Sequence, residues 1–180
     1  MDIEGASALG VAVVGVLGTL LSALLTQRAA DGGRRREQER AEEVAEQHRR
    51  EHELRACYVA LNAAARQYLA ALTDQVHALG RDADLPAARQ RLAEARDHYR
   101  EVYAEAQLRV PEQVLDLAGP FSRDLGELYG MVRRLDAGAP RVGDLPAAVR
   151  QGIDARWAAL RRMRDEMRAQ LGVSRADFGR

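Results

Sequence analysis

The chain has 180 residues, and its 27 arginines balance 27 aspartates and glutamates in the complete absence of lysine, so the formal net charge is zero. A balanced charge gives no electrostatic basis for binding nucleic acid, and we expect no such partner. The single cysteine excludes an intrachain disulfide and favours a reducing compartment. Few aromatics and abundant alanine, leucine, arginine and glutamate predict an all-α fold.

An uncharged segment rich in leucine and valine covers residues 5–26. As a helix it would be about 33 Å long, enough to cross a hydrocarbon core of about 30 Å. We therefore predict a transmembrane anchor over residues 1–27 that contacts the lipid bilayer. A cleaved signal peptide is the alternative, but it requires a basic N-terminal region, whereas Asp2 and Glu4 are acidic.

The charges beside this segment predict its orientation. Arg28 and residues 34–36 follow it, so the positive-inside rule places the N-terminus outside and the remainder in the cytoplasm. The expected location is the cell membrane, with a single span. Small residues at helical spacing, among them Gly15, Gly18 and Ser22, favour pairing of two spans into a homo-oligomer. The alternative is that such residues are simply common in membrane helices.

Residues 28–53 are predicted to form a hinge and a charged helical stalk. Asp31, Gly32 and Gly33 are expected to interrupt the helix. Beyond them the sequence is almost entirely charged, and pairs such as Glu46 with Arg50 have the spacing that supports an exposed helix. Ala41, Val44 and His48 form a weak coiled-coil seam.

The stalk also contains an H-x-x-E-H match, His48-Arg49-Arg50-Glu51-His52. This pattern occurs in inverted zinc metallopeptidases and places both imidazoles on one helical face. A hydrolase needs a third ligand and a walled cavity, and this charged segment has too few apolar residues to build one. We therefore expect no metal, no cofactor and no enzyme, with a metal-dependent hydrolase as the alternative.

Residues 54–172 predict an antiparallel four-helix bundle, and residues 173–180 a flexible tail. Each helix has apolar residues at three-four spacing, which is the pattern of one buried face. Pro86 and Pro111 open the second and third helices, and the Gly119-Pro120 pair is expected to kink or break the third. Asp144 is expected to cap the fourth helix and Gly172 to end it. The predicted stripes are Leu54, Tyr58, Leu61, Ala65, Tyr68, Leu72 and Leu79; Leu85, Ala88, Leu92, Ala95, Tyr99, Val102 and Ala106; Val114, Ala118, Phe121, Leu125, Leu128, Val132 and Leu135; and Val149, Ile153, Trp157, Leu160, Met163, Met167 and Leu171.

A polar row on the first bundle helix is the main candidate binding surface. Arg55, Tyr58, Asn62 and Arg66 are three to four residues apart, so they align beside the apolar stripe. Arginine forks there would bind an anionic ligand or the carboxylate of a protein partner. The structural alternative is a hydrogen-bond network that sets the register of the bundle.

The stretch Arg55-Ala-Cys-Tyr-Val-Ala-Leu-Asn-Ala-Ala-Ala-Arg66, behind an apolar segment and a charged stalk, resembles uncharacterised proteins of Streptomyces-type actinobacteria. The resemblance implies a membrane-anchored helical protein and brings no known activity with it. The predicted function is a non-enzymatic, membrane-tethered scaffold or adaptor whose bundle meets a cytoplasmic protein. The alternative is a membrane-bound sensor that binds a small anion on the flank of Arg55, Asn62 and Arg66.

Overall fold

A computed structural model describes the backbone of residues 4–81 and 84–173 and the side chains of residues 38, 40–80 and 84–173. These residues form four α-helices and no β-strand, which confirms the all-α prediction for the described part of the chain. The chain divides into two compact units, residues 1–50 and 51–180. The helices are α1 Glu4–Arg81, α2 Leu85–Arg109, α3 Glu112–Asp136 and α4 Pro146–Gln170.

The first unit is the N-terminal part of α1. This helix continues through Gly32 and Gly33, so the interruption expected there is absent from the described backbone. Each glycine costs a helix only about 1 kcal/mol relative to alanine, which is too little to end one flanked by good helix formers. Farther along, Arg50 Nε donates to Glu46 Oε1 at 3.0 Å, which confirms that predicted pair.

Where side chains are described, no helix has the length and apolar character needed to cross a membrane. The predicted span over residues 5–26 and its pairing residues Gly15, Gly18 and Ser22 lie outside that part of the chain. The transmembrane anchor therefore stays a prediction.

The second unit has a single apolar core, and the four predicted stripes supply most of it. In α1 a second row beside the predicted one is also buried, including Leu69 and Val76. Two rows are needed because α1 packs against more than one helix. The largest fully buried apolar side chains are Leu61, Leu69, Leu72, Leu92, Tyr99, Phe121, Leu125 and Met163.

Neighbouring helices of this unit run antiparallel, because the contacts between them occur in reverse chain order. Between α2 and α3, Arg89 Nη2 lies 2.7 Å from Asp136 Oδ1 near one end of the pair. Toward the other end, Tyr103 lies over Gly119. In α3 and α4, Asp124 binds Arg156 and Leu128 packs on Gly152. The α1–α2 contacts are Glu53 with Arg109 and Tyr68 with Tyr99.

Local sequence signals account for the helix ends. Pro86 and Pro146 lie in the first turns of α2 and α4, where a missing N–H costs nothing. The helices α3 and α4 both end in a Schellman motif with glycine in the left-handed region, Gly138 at φ 66° and Gly172 at φ 68°. The predicted end at Gly172 is thus confirmed.

The third helix was expected to kink or break at Gly119-Pro120; the break is wrong, because α3 continues through Pro120, and the kink stays a prediction. A proline inside a helix costs about 3 kcal/mol. Beyond Pro120, α3 buries Phe121 and Leu125, and each such side chain contributes about 1.5–3 kcal/mol, which offsets that cost.

The prediction that Asp144 caps α4 is also wrong. The N-cap position is Leu145, and no side chain caps this terminus. Asp144 instead accepts from Arg134 Nε at 2.5 Å, from Arg134 Nη2 at 2.9 Å and from the Arg141 N–H at 2.8 Å. A bidentate guanidinium is a stronger partner for a carboxylate than a helix N–H, so the ion pair takes the aspartate.

Candidate functional site

The polar row predicted on the first bundle helix is divided between surface and core. Arg55 and Arg66 are exposed, Asn62 is half-buried, and Tyr58 is only 3 % exposed. A helix at 3.6 residues per turn rotates the middle members of such a row inward while its ends stay outside. Neither Arg55 nor Arg66 forms an ion pair with another residue of the described chain.

The Tyr58 hydroxyl is buried and has no hydrogen-bond partner among the described residues. Burial raises the pKa of Tyr58, and the neighbouring Cys57 and Glu166 raise it further. Cys57 is itself a core residue, and burial and then Glu105 raise the pKa of its thiol against the opposing effect of Arg109. A protonated thiol in the core fits a packing role rather than a reactive one.

A cleft of about 200 Å³ opens among α1, α2 and α3. Its lining comes from all three helices, one residue from α1, three from α2 and two from α3. We call this feature the cleft; its lining residues are Tyr68, Arg96, Tyr99, Arg100, Ser122 and Gly126.

An aromatic cluster forms the inner wall of the cleft. The rings of Tyr68 and Tyr99 have centroids 5.7 Å apart, and Tyr99 stacks on Tyr103 at 5.9 Å. Tyr99 also meets the edge of Phe121 at 6.3 Å. The packing of four rings leaves Tyr68 and Tyr99 little freedom, so the hydroxyls of these two residues are held in fixed positions.

The Tyr99 hydroxyl is buried without a hydrogen-bond partner in the described structure. Ser122 lies near this hydroxyl, but the two groups do not have the distance and angles of a hydrogen bond. Burial raises the pKa of Tyr99, and the nearby Ser122 opposes that shift only in part. Burial also raises the pKa of Tyr68, against the lowering effect of Arg96. Both phenols therefore stay protonated at neutral pH and can donate hydrogen bonds.

Two guanidinium groups flank the opening of the cleft. Arg96 lies over the ring of Tyr129, 4.7 Å from its centroid, and its Nη1 is 3.4 Å from Asp97 Oδ1. Arg100 is exposed and has no ion pair within the described chain. No carboxylate lines the cleft. The local charge is positive, although the chain as a whole is neutral.

The cleft has no signature in the sequence as a whole. Tyr68 and Tyr99 belong to the predicted apolar stripes and were interpreted as core alone. The available signal was the spacing of Arg96 and Arg100, four residues apart and so on one face of α2, next to Tyr99. The contribution of α3 carries no local signal, because Ser122 and Gly126 reach the cleft only through helix packing.

His48, Glu51 and His52 of the H-x-x-E-H match are all exposed. Over the described residues, no three His, Cys, Asp or Glu side chains lie close enough together to hold a metal ion.

Comparisons of this chain with protein-family models, with curated proteins and with solved structures find no match. The resemblance of residues 55–66 to actinobacterial membrane proteins stays a prediction.

Proposed function

We propose that this chain is a membrane-tethered, non-enzymatic scaffold or adaptor whose bundle binds a cytoplasmic protein through the outward surface of α1. The supporting observation is that this surface is apolar in its centre, cationic at its edges and not covered by any other described residue. We call it the α1 outer face; its residues are Arg55, Ala56, Val59, Ala60, Ala63 and Arg66.

The shape of the α1 outer face suits another helix. Val59 is 65 % exposed, and the residues around it are alanines, so the surface has low relief. Small side chains let a second helix approach closely, and the resulting contact removes apolar area from water. An exposed valine within an alanine surface has no role in the core of this unit.

The charge of the α1 outer face suggests the chemistry of the partner. Arg55 and Arg66 lie eleven positions apart, which is about three helical turns or about 16 Å. Elsewhere in the bundle the arginines that contact other helices have carboxylate partners, as Arg89 has Asp136 and Arg156 has Asp124. The two uncommitted guanidiniums therefore fit an amphipathic helix that carries aspartate or glutamate on either side of its apolar stripe.

The proposal is tested by capture from the native membrane with tagged full-length protein. The double change Arg55→Glu with Arg66→Glu, and separately Val59→Asp, should each abolish recovery of the partner without unfolding the chain. Arg91→Glu is the matched control, since Arg91 is an exposed arginine of α2 outside this face. A partner recovered equally well by all variants would contradict the proposal. Recovery of a second copy of this chain alone, lost in the same variants, would also contradict it.

A membrane-bound sensor of a small anion on the Arg55, Asn62 and Arg66 flank is the second candidate. The buried, unpartnered hydroxyl of Tyr58 favours it, because a ligand could satisfy that group. Glu166 is near enough to raise the pKa of Tyr58, and its negative charge disfavours an anion there. We therefore place the scaffold first.

A further inference from the structure

We infer that the cleft among α1, α2 and α3 binds a small oxyanion, for which phosphate is the representative species. The inference does not rest on the proposed scaffold function, because the cleft shares no residue with the α1 outer face.

The first support is the set of donors that converge on one space. Arg96 and Arg100 come from α2 at i and i+4, and Tyr99 of α2 and Ser122 of α3 line the same cleft. A phosphate accepts hydrogen bonds on every oxygen, so guanidinium and hydroxyl donors together match its requirements. No carboxylate lines the cleft itself, but Asp97 pairs with Arg96 and acts on Tyr68, so Arg100 is the lining cation whose charge is not offset by an ion pair in the described chain.

The second support is the orphaned hydroxyl of Tyr99. This residue is 1 % exposed, lines the cleft, and has no hydrogen-bond partner within the described chain. A buried polar group without a partner destabilises the fold, and this hydroxyl has almost no accessible surface, so a ligand in the cleft completes it only when the lining shifts. The packed rings around it hold the donor in place before any ligand arrives.

The third support is Gly126, which leaves the space open. A Cβ placed on Gly126 meets nothing within 4 Å, so no neighbour requires a glycine there for packing. Glycine in the middle of a helix is unfavourable by up to about 1 kcal/mol relative to alanine. The role that remains is to leave room beside the donors. At about 200 Å³ the cleft is smaller than a pocket for a drug-sized molecule, and this size limits the ligand to a small ion or head group.

Binding is measured by calorimetric titration of full-length protein in detergent with phosphate, at an ionic strength held constant with chloride. We expect saturable binding at one site, with a dissociation constant below about 10 mM. Arg100→Gln should weaken the affinity at least tenfold, because it removes the unpaired guanidinium. Gly126→Leu should weaken it as much while keeping every donor, because it fills the space. Arg91→Gln should change it less than twofold.

Helix content from circular dichroism identifies any variant that fails to fold, and Gly126→Leu is expected to fold, since leucine is the better helix former.

A titration with glycerol 3-phosphate distinguishes two sources of the same chemistry. Tighter binding than phosphate assigns a phosphate monoester, and weaker or equal binding assigns the free ion. The inference is overturned if phosphate shows no saturable binding, or if Arg100→Gln and Gly126→Leu bind it as well as the unaltered chain. These outcomes leave the α1 outer face untested, so the two proposals fail independently.

Discussion

Two glycines in neighbouring helices of the bundle have opposite roles. Gly152 in α4 lies beneath Leu128 of α3, so that an added Cβ would meet Leu128 Cδ2 at 2.5 Å. Gly126 in α3 has nothing within 4 Å of its Cβ position and lines the cleft. The first glycine allows two helices to close tightly, and the second leaves a gap.

The arginines near the α3–α4 interface and those near the cleft also differ. Beside the closed α3–α4 interface, Arg156 binds Asp124 and Arg134 binds Asp144. Beside the cleft, Arg100 has no such partner within the described chain. At the α3–α4 interface both arginines have carboxylate partners that serve the fold; at the cleft Arg96 is paired with Asp97, and Arg100 has no ion pair in the described chain.

Removing the side chain that closes the α3–α4 interface should have the largest effect. Leu128 is 5 % exposed, so Leu128→Ala leaves a cavity above Gly152. The expected loss is about 2–5 kcal/mol of unfolding free energy. Denaturant titration followed by circular dichroism measures it. A loss well below 1 kcal/mol would show that this interface is not tightly packed.

Adding a large side chain at the same interface should lower the unfolding free energy by less than removing Leu128 does. Gly152→Leu forces Leu128 to move and should lower the unfolding free energy by about 1–3 kcal/mol, even though leucine favours the helix. Combined with Leu128→Ala, it should recover part of the stability lost in either single variant, because the new side chain fills the cavity. Strict additivity of the two changes would contradict direct contact between these positions.

The Arg134–Asp144 pair should add an acid-sensitive component to stability. Arg134 and then the Arg141 N–H lower the pKa of Asp144 from 3.8 to about 2. Because the folded pKa is depressed, this stabilisation is present above pH 4 and is lost as the pH falls toward 2. Asp144→Asn should lower the melting temperature by a few degrees at pH 7 and remove this part of the acid dependence. Asp154→Asn, an exposed residue of α4, is the control and should melt like the unaltered chain.

Adding one methyl group at Gly126 should have the smallest effect on the unfolding free energy, and it should raise that free energy rather than lower it. Gly126→Ala should raise the unfolding free energy by up to about 1 kcal/mol, because alanine is the better helix former and meets no neighbour. The measurement is the same denaturant titration. A loss of stability would show that Gly126 is needed for packing, and the cleft would then need another explanation.

Much of the helix layout could be predicted from the sequence. The starts of α2 near Pro86 and of α3 after Pro111, and the end of α4 at Gly172, follow from proline, glycine and apolar periodicity, which are local signals. Two expectations failed because local signals compete with packing: Pro120 does not break α3, and Asp144 does not cap α4. Burial of Phe121 and Leu125 outweighs the local preference at Pro120, and the ion pair with Arg134 outweighs it at Asp144.

The candidate site was much less predictable. Periodicity identifies Tyr99 as a buried residue but says nothing about whether its hydroxyl finds a partner. The row of Arg55, Tyr58, Asn62 and Arg66 looks continuous in the sequence, whereas the helix buries Tyr58 and leaves its outer members exposed.

The sequence alone determined the helical class of the described chain, the approximate limits of α2, α3 and α4, and one buried stripe on each helix. These depend on backbone propensity and on spacing along one helix, which neighbouring residues encode. Only the tertiary structure decided that Tyr68, Arg100 and Ser122 share a cleft, that Leu128 covers Gly152, and that Arg134 holds Asp144. Such contacts join residues on different helices or across a turn, and they depend on the rotation and register of packed helices, which periodicity leaves open.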